Sequence, residues 1–206
     1  MAYQALFSID KPYFTTEDVT QTLGISEGSA AVLCGRYVKQ GLLVRLKKGL
    51  YVRKGNLRNL RQTDLFSIAN FLQVPSYVSL TTALAYHGIT TQLQRDFIES
   101  ISIKRTVVFE GEGWHFRYTR IKPEFYGGFT KEEGAFVALP EKALLDALYL
   151  ASLGRYSLDR SALDLDKLDK NRLLEMARPF PGALLEEILS ADSSASGGLR
   201  GLAHIR

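Results

Sequence analysis

The chain has 206 residues, of which 46% are hydrophobic and 23% are charged. This length and composition are typical of a globular protein of one or two domains with a sizeable core. The single cysteine, Cys34, excludes an internal disulfide, and the amino terminus lacks the pattern of a secretory signal peptide. No apolar run approaches the roughly 18 residues of a membrane-spanning helix. We therefore expect a cytoplasmic protein without a membrane partner.

Positive charge is concentrated in the first third of the chain. Residues 1–62 contain 10 Lys and Arg against 4 Asp and Glu, whereas residues 63–206 contain 16 against 18. No acidic residue lies between Glu27 and Asp64, a stretch that contains nine basic residues. Such a stretch within structured sequence favours a polyanionic partner. The alternative is a solvated basic face that binds nothing.

The segment FTTEDVTQTLGIS and the residues that follow it predict two short helices. Thr15 or Thr16 can cap the first helix, and Gly24 ends it. Ser26 can cap a second helix that continues to about Gly41. Two helices joined by a tight turn that contains glycine indicate a helix-turn-helix unit.

The second helix is predicted to have one buried and one exposed face, at 100° per residue. Ala30, Leu33, Cys34 and Tyr37 are expected to pack inward. The opposite face carries mostly small or polar residues, namely Gly28, Ser29, Ala31, Val32, Gly35, Arg36 and Lys39. Two glycines cost a helix roughly 1 kcal/mol each relative to alanine, and this cost calls for a compensating role.

Our hypothesis is that the small outward residues let the helix lie deep in a DNA major groove, with Val32 able to touch a thymine methyl group. The alternative is that the glycines allow close packing against another helix.

The stretch GLLVRLKKGLYVR, residues 41–53, predicts a hairpin directly after this helix. Both arms have strand composition, and the sequence KKG supplies the turn. This order of elements defines a winged helix, in which Lys47 and Lys48 neutralise DNA phosphates and Arg45 or Arg53 supports them. The alternative is that the lysines only keep an edge hairpin soluble.

The second part of the chain mixes predicted helices and strands. Helices are expected in LFSIANFL, after a Ser79 cap in PSYVSLTTALAYHGI, and in ALPEKALLDALYLASLG, which is apolar nearly all round and should be buried. The runs FIESISIKR, TVVFE and WHFRYTRI are β-rich, with a hairpin at Gly111 and Gly113. Further helices are predicted over roughly Leu165–Met176 and Gly182–Leu189.

The predicted fold class is therefore α+β, with an amino-terminal winged helix-turn-helix followed by a larger mixed α/β carboxy-terminal domain. The expected boundaries are residues 1–62 for the winged helix, 63–190 for the second domain and 191–206 for a flexible tail rich in Ser and Gly.

The second part offers no clear catalytic motif. The three histidines lack metal-ligand spacing, and neither a phosphate-binding glycine loop nor a Gly-x-Ser-x-Gly nucleophile turn is present. Asp96, Glu99 and Lys104 suggest a nuclease, but the odd spacing of Glu99 and Lys104 would put them on opposite faces of a strand unless a bulge intervenes. Lys142 and Asp146 are best explained as a local ion pair. We predict no metal, no cofactor and no catalytic residue.

The aromatic segment EFYGGFT has two possible roles. Its rings could form a corner of the core, which we favour slightly, or a surface that binds a partner.

An ordered series of motifs resembles one protein family. After the winged helix with RLKKGLYVR come PSYVSLTTALAYHGI, SISIKRTVVFE, YTRIKPEFYGGF and ALPEKALLDALYLA. Over residues 12–153 this order is similar to that of the AbiEi antitoxins of AbiE abortive-infection systems. The resemblance implies a DNA-binding role for six residues of the winged helix, namely Ser29, Arg36, Lys39, Arg45, Lys47 and Lys48.

The resemblance implies a type IV toxin-antitoxin system that acts in phage defence. The winged helix would bind inverted repeats in double-stranded DNA at its own promoter and repress transcription. The second domain would counteract a nucleotidyltransferase-like toxin encoded next door, without a stable complex. The alternatives are a solitary winged-helix regulator without a toxin, or a nucleic-acid-processing enzyme that docks through the winged helix.

Overall fold

The computed structural model describes residues 2–92, 94–184, 186 and 188. The predicted tail, residues 191–206, lies outside the described residues, as do several positions near the end of the predicted helix Gly182–Leu189. Residues 182–184 are helical, in agreement with the predicted start of that helix.

The described chain contains both helices and strands, and most of the strands follow one another in the sequence. The helices are α1 (Ala2–Ala5), α2 (Thr16–Leu23), α3 (Glu27–Lys39), α4 (Gln62–Leu72), α5 (Leu80–Tyr86), α6 (Pro140–Ser152) and α7 (Lys170–Ala177). The strands are β1 (Phe14–Thr15), β2 (Leu43–Lys47), β3 (Leu50–Arg53), β4 (Ser76–Val78), β5 (Phe97–Ser102), β6 (Val107–Gly111), β7 (Trp114–Arg120), β8 (Phe129–Glu132) and β9 (Ala135–Ala138).

The predicted caps at the start of α2 and α3 and at the end of α2 are confirmed. The Thr15 hydroxyl accepts a hydrogen bond from the backbone N–H of Asp18, whose carboxylate accepts the N–H of Thr15, so a capping box starts α2. Gly24 ends α2 in the left-handed conformation, at φ 63°. The Ser26 hydroxyl accepts the N–H of Ser29 and starts α3. These local interactions define the helix-turn-helix.

The wing is a small sheet in which β3 lies between β1 and β2. Its side chains divide between two hydrophobic clusters. Leu43 and Tyr51 pack with α2 and α3 around Val19, Ala30 and Cys34. Other wing residues belong instead to the larger cluster of the second part, namely Leu46, Leu50 and Val52, followed by Leu57. The winged helix and the second part therefore share a hydrophobic core, and the predicted boundary at residue 62 stays a prediction.

The second part is built on a six-stranded mixed sheet in the order β6-β7-β5-β4-β9-β8. On one face α4 packs against it, and the buried Tyr118 hydroxyl of β7 donates to the carbonyl of Ala69 in α4. On the other face lie α5 and α6, where the Tyr77 hydroxyl of β4 donates to Asp146 in α6. The predicted α+β class, with an amino-terminal winged helix and a larger mixed part, is confirmed.

Three details differ from the sequence predictions. The predicted helix Leu165–Met176 is divided, because Leu168 is extended and the Asp169 side chain caps a new helix at Lys170. Ser79 occupies the cap position of α5, but its hydroxyl donates to Asp146 at 2.8 Å and does not cap the helix. The short strands β1, β4, β8 and β9 have no counterpart among the sequence predictions.

Candidate nucleic-acid interface

The helix α3 presents the predicted exposed face to solvent. Ala30 and Cys34 are fully buried, whereas 66% of Val32 is accessible. Arg36 and Lys39 are also exposed. Burial raises the pKa of the Cys34 thiol to about 11, as expected for a packing residue. The predicted division of α3 into two faces is therefore confirmed for Ala30 and Cys34 on the inner side, whereas Leu33 is only half-buried.

The two glycines of α3 do not serve close helix packing. A Cβ atom built on either Gly28 or Gly35 meets no packing partner within 4 Å. The alternative that these glycines accommodate a neighbouring helix is therefore wrong within the described chain. Their absent side chains leave the α3 backbone approachable from outside.

A groove of ≈ 660 Å³ separates the second half of α3 from β2. Its walls include Gly35 and three basic residues, Lys39, Arg45 and Lys54. None of the described residues that line it is acidic. Their charges are therefore uncompensated within the groove, and a polyanion would be attracted to it.

Lys47 does not extend from the wing as predicted. Its ammonium group donates to the carbonyls of Phe71 and Leu72, at 2.8 and 3.2 Å, and lies 4.9 Å from the centroid of the Phe71 ring. Partial burial lowers the pKa of Lys47. The ammonium group thus supplies hydrogen bonds to free carbonyls at the carboxyl end of α4, where the helix dipole favours positive charge. It is not positioned for the phosphate contact that we predicted.

A break in the strand pairing explains this placement. The register of β2 against β3 shifts between Arg45 and Lys47, so the two residues do not follow the regular alternation of a strand. Arg45 is exposed, while Lys47 is half-buried against α4.

Arg53 also has an intramolecular role. Its guanidinium group donates to the carbonyls of Leu6 and Ile9 and lies 5.0 Å from the ring centroid of Phe7 and 5.8 Å from that of Phe14. These contacts hold the amino-terminal segment against the wing. The predicted supporting role of Arg53 at phosphate is therefore replaced by a structural one.

The other six predicted residues have exposed side chains, namely Ser29, Val32, Arg36, Lys39, Arg45 and Lys48. Sequence reasoning missed Lys54, although it belongs to the same acid-free stretch.

The candidate nuclease residues of the second part do not form one site. Asp96 lies in an exposed turn before β5, and Lys104 lies beyond its end. The β5–β7 ladder runs from Phe97 to Ser102 without a bulge. Glu99 is only 2% exposed, and its carboxylate accepts a hydrogen bond of 2.8 Å from Tyr156. Across the described residues, no three His, Cys, Asp or Glu side chains form a group that could hold a metal ion.

Lys142 and Asp146 form the predicted ion pair, one turn apart on α6 and almost completely buried. Tyr77 and Ser79 also donate to the Asp146 carboxylate. Burial lowers the pKa of Lys142 and raises that of Asp146, and the pairing of the two charges opposes both shifts. The cluster links β4, α5 and α6 in the interior of the second part.

The family described as "Transcriptional regulator, AbiEi antitoxin" matches residues 1–54. These residues contain the helix-turn-helix and the wing, so the similarity to that family covers the winged helix. The resemblance predicted from the sequence is thus confirmed over the winged helix, and this is a family of regulators, not of enzymes. The motifs quoted from the second part lie outside the matched residues.

One solved structure shares the fold along almost the whole chain. The crystal structure of the RV2827C protein from Mycobacterium tuberculosis superposes with a TM-score of 0.61 over 98% of this chain and 80% of that one, at 16% identity. At this identity the likeness concerns the fold alone. No curated protein matches the chain. Within the described residues, no helix has the length and apolar character needed to cross a membrane.

Proposed function

We propose that this chain is an AbiEi-type antitoxin that binds double-stranded DNA at its own promoter and represses transcription. The α3 helix enters the major groove, and the tip of the wing contacts the phosphate backbone. Inverted repeats are the expected operator. The proposed contact residues are the six exposed ones given above, with the addition of Lys54.

The observation that carries this proposal is the exposed face of α3. Open space beside Gly28 and Gly35 lets the helix backbone approach the wall of a DNA major groove closely. Arg36 and Lys39 flank this space and supply charge for phosphates. A solvated surface helix has no need of an interior glycine such as Gly35, which costs it roughly 1 kcal/mol. The match of residues 1–54 to antitoxin regulators supports the same conclusion.

The second part is proposed to counteract a nucleotidyltransferase-like toxin encoded by a neighbouring gene, without a stable complex between the two proteins. The support is the order of sequence motifs over residues 12–153. Phage defence by abortive infection is the corresponding biological role, and the cytoplasm the corresponding location.

Titration of the full chain against its own promoter fragment tests the DNA-binding proposal. Fluorescence anisotropy at several salt concentrations gives both the affinity and the number of phosphate contacts, because log affinity falls by about 0.9 per contact for each unit of log salt. The double variant Arg36→Ala with Lys39→Ala should lose affinity and flatten this slope by up to about two contacts.

The matched control removes the same charges elsewhere. Lys122 and Arg178 are exposed residues of the second part, and the variant Lys122→Ala with Arg178→Ala should bind like the wild type. An equal loss in both double variants would mean that net charge, and not the α3 surface, determines binding. Binding that the α3 variant leaves unchanged would refute the proposed interface.

Expression with and without the adjacent gene tests the antitoxin role. Growth arrest by the neighbouring gene product, relieved by this chain, is the expected result. A gene neighbour that is not toxic, or toxicity that this chain leaves unchanged, would instead favour a solitary regulator.

A further inference from the structure

An apolar groove of ≈ 460 Å³ lies where α4 meets the β8–β9 hairpin and the segment before β1. We call it the aromatic groove, after the five rings that line it: Tyr13, Phe71, Tyr126, Phe129 and Phe136. Neighbouring rings contact one another, with centroids 5.2 Å apart for Tyr13 and Phe71 and 5.6 Å apart for Phe129 and Phe136. The groove is therefore assembled from three separate parts of the chain.

The surface of the aromatic groove is unusually apolar for a part of the molecule open to solvent. Val74 at its rim is 64% exposed, and Phe136 is 41% exposed. Exposed apolar surface that is contiguous with a cavity is typical of ligand-binding grooves. The volume of the groove also falls within the range usual for small-molecule sites.

The lining determines the chemistry of an occupant. None of the described residues that line the groove carries a formal charge, so a charged ligand would lose its hydration without gaining a partner. Five rings favour a planar aromatic molecule, through stacked and edge contacts. The polar groups are few and neutral. Burial raises the pKa of Tyr126 to about 12, so its hydroxyl keeps its proton and can donate one hydrogen bond.

Asn70 fixes one wall of the groove. Its side-chain oxygen accepts the backbone N–H of Phe136, and its side-chain nitrogen donates to the carbonyl of the same residue at 3.3 Å. This double contact joins α4 to β9. The groove is thus preorganised, which reduces the entropy that an occupant would lose by ordering its site.

We propose that the aromatic groove is a binding site for a small, uncharged aromatic molecule.

The groove is also connected to both outer strands of the wing. Tyr13 immediately precedes Phe14 of β1, which pairs with Tyr51 in β3. Phe71 offers both its carbonyl and its ring to Lys47 of β2. A molecule seated against Tyr13 and Phe71 therefore contacts the residues that position the wing. On the basis of the proposed DNA-binding function, occupancy of the groove is coupled to operator affinity, and the coupling is equal in both directions.

Titration of the full chain with N-phenyl-1-naphthylamine tests the groove directly, because this uncharged aromatic dye fluoresces strongly in apolar surroundings. A saturable increase in fluorescence with one dye per chain is the expected result. Phe136→Ala should weaken dye binding about fivefold, the loss typical of one aromatic contact, and Val74→Ser should weaken it in the same direction.

Val108→Ser is the matched control, because Val108 is 45% exposed on β6 and does not line the groove. It should leave dye binding unchanged. Absence of saturable binding, as expected of a groove that accepts only a protein segment, would overturn the proposal. So would an equal loss in the groove variants and in the control.

A second titration, with promoter DNA at saturating dye, measures the coupling. The affinity for DNA should change at least about threefold in the presence of dye, and DNA should change the affinity for dye by the same factor. If the protein binds DNA with an affinity that the dye leaves unchanged, the coupling is refuted. If it binds no DNA, the proposed function fails, while the dye titration still decides whether the groove is a site.

Discussion

Substitution of Gly35 separates the two roles that a glycine can have on a helix surface. Gly35 lies well inside α3, so it carries the full cost of glycine in a helix interior. A Cβ added there meets no packing partner within 4 Å. Gly35→Ala should therefore gain about 0.5–1 kcal/mol of stability without steric cost. For a chain of this length, that gain corresponds to a rise of about 1–4 °C in melting temperature.

The larger substitution Gly35→Gln tests whether this face of α3 enters the DNA major groove. Gln is also a better helix former than Gly, so this variant should melt no lower than the wild type. Its side chain would extend into the groove beside Lys39 and Arg45 and keep α3 away from the floor of the major groove. Operator binding should be abolished while the fold is retained.

Thermal unfolding and operator titration of the two variants give opposite results under the two interpretations. A fall in the melting temperature of Gly35→Ala, by the 1–3 kcal/mol typical of overpacking, would show that the glycine is packed against a neighbour. A folded Gly35→Gln protein that binds its operator with full affinity would refute the placement of this face of α3 in DNA.

Three further predictions follow from side-chain contacts. Lys48→Ala should flatten the dependence of log DNA affinity on log salt by about one phosphate contact. Lys47→Ala should leave this slope unchanged and should lower the melting temperature instead. Equal changes of slope in the two variants would contradict the contact of Lys47 with α4. Asp146→Ala should lower the free energy of unfolding by about 3–5 kcal/mol, because Lys142 loses its buried partner; a urea titration that shows a much smaller loss would contradict the burial of this pair. Glu99→Gln should raise the melting temperature at neutral pH. Burial raises the pKa of Glu99, so the folded state of the wild type loses stability as the pH rises above the ordinary carboxyl pKa of 4.5. A gain in melting temperature that persists undiminished below pH 4.5 would contradict this explanation.

The helix-turn-helix could be predicted because its signals are local. The capping interactions of Thr15 and Ser26 involve residues three positions away, and Gly24 ends α2 through its own backbone conformation. The inward face of α3 follows from helical periodicity alone, and Ala30 and Cys34 are buried as expected. Such features require no knowledge of the rest of the fold.

The side chains of Lys47 and Arg53 could not be placed in this way. Lys47 binds carbonyls 24 and 25 residues away, and Arg53 binds carbonyls 44 and 47 residues away. Strand alternation would place Lys47 on the same side as Arg45, but the shift in register between them breaks the pattern. Basic character alone therefore did not distinguish a cation available to DNA from one that completes a helix end.

The aromatic groove and the short strands were missed for a related reason. The sequence left two roles open for the segment EFYGGFT, a corner of the core or a surface that binds a partner. Phe125 is buried and stacks on Phe180, as expected of a core corner. Phe129 stacks on Tyr77, Tyr126 makes a tilted contact with the same ring, and both also line the groove. Which ring faces inward depends on β4, whose three residues carry too little periodicity to be recognised.

The wing connects the proposed DNA surface to the second part of the chain. Its outward residues Arg45 and Lys48 are exposed, while Leu46 and Val52 are buried in the larger core. The contact with β6 is close, since a Cβ on Gly111 would come within 2.5 Å of Leu46. Moving the wing away would expose these side chains at a cost of about 1.5–3 kcal/mol each. The second part therefore helps to hold the wing in position, and a change in the packing of α4 would reach the proposed DNA surface through the wing.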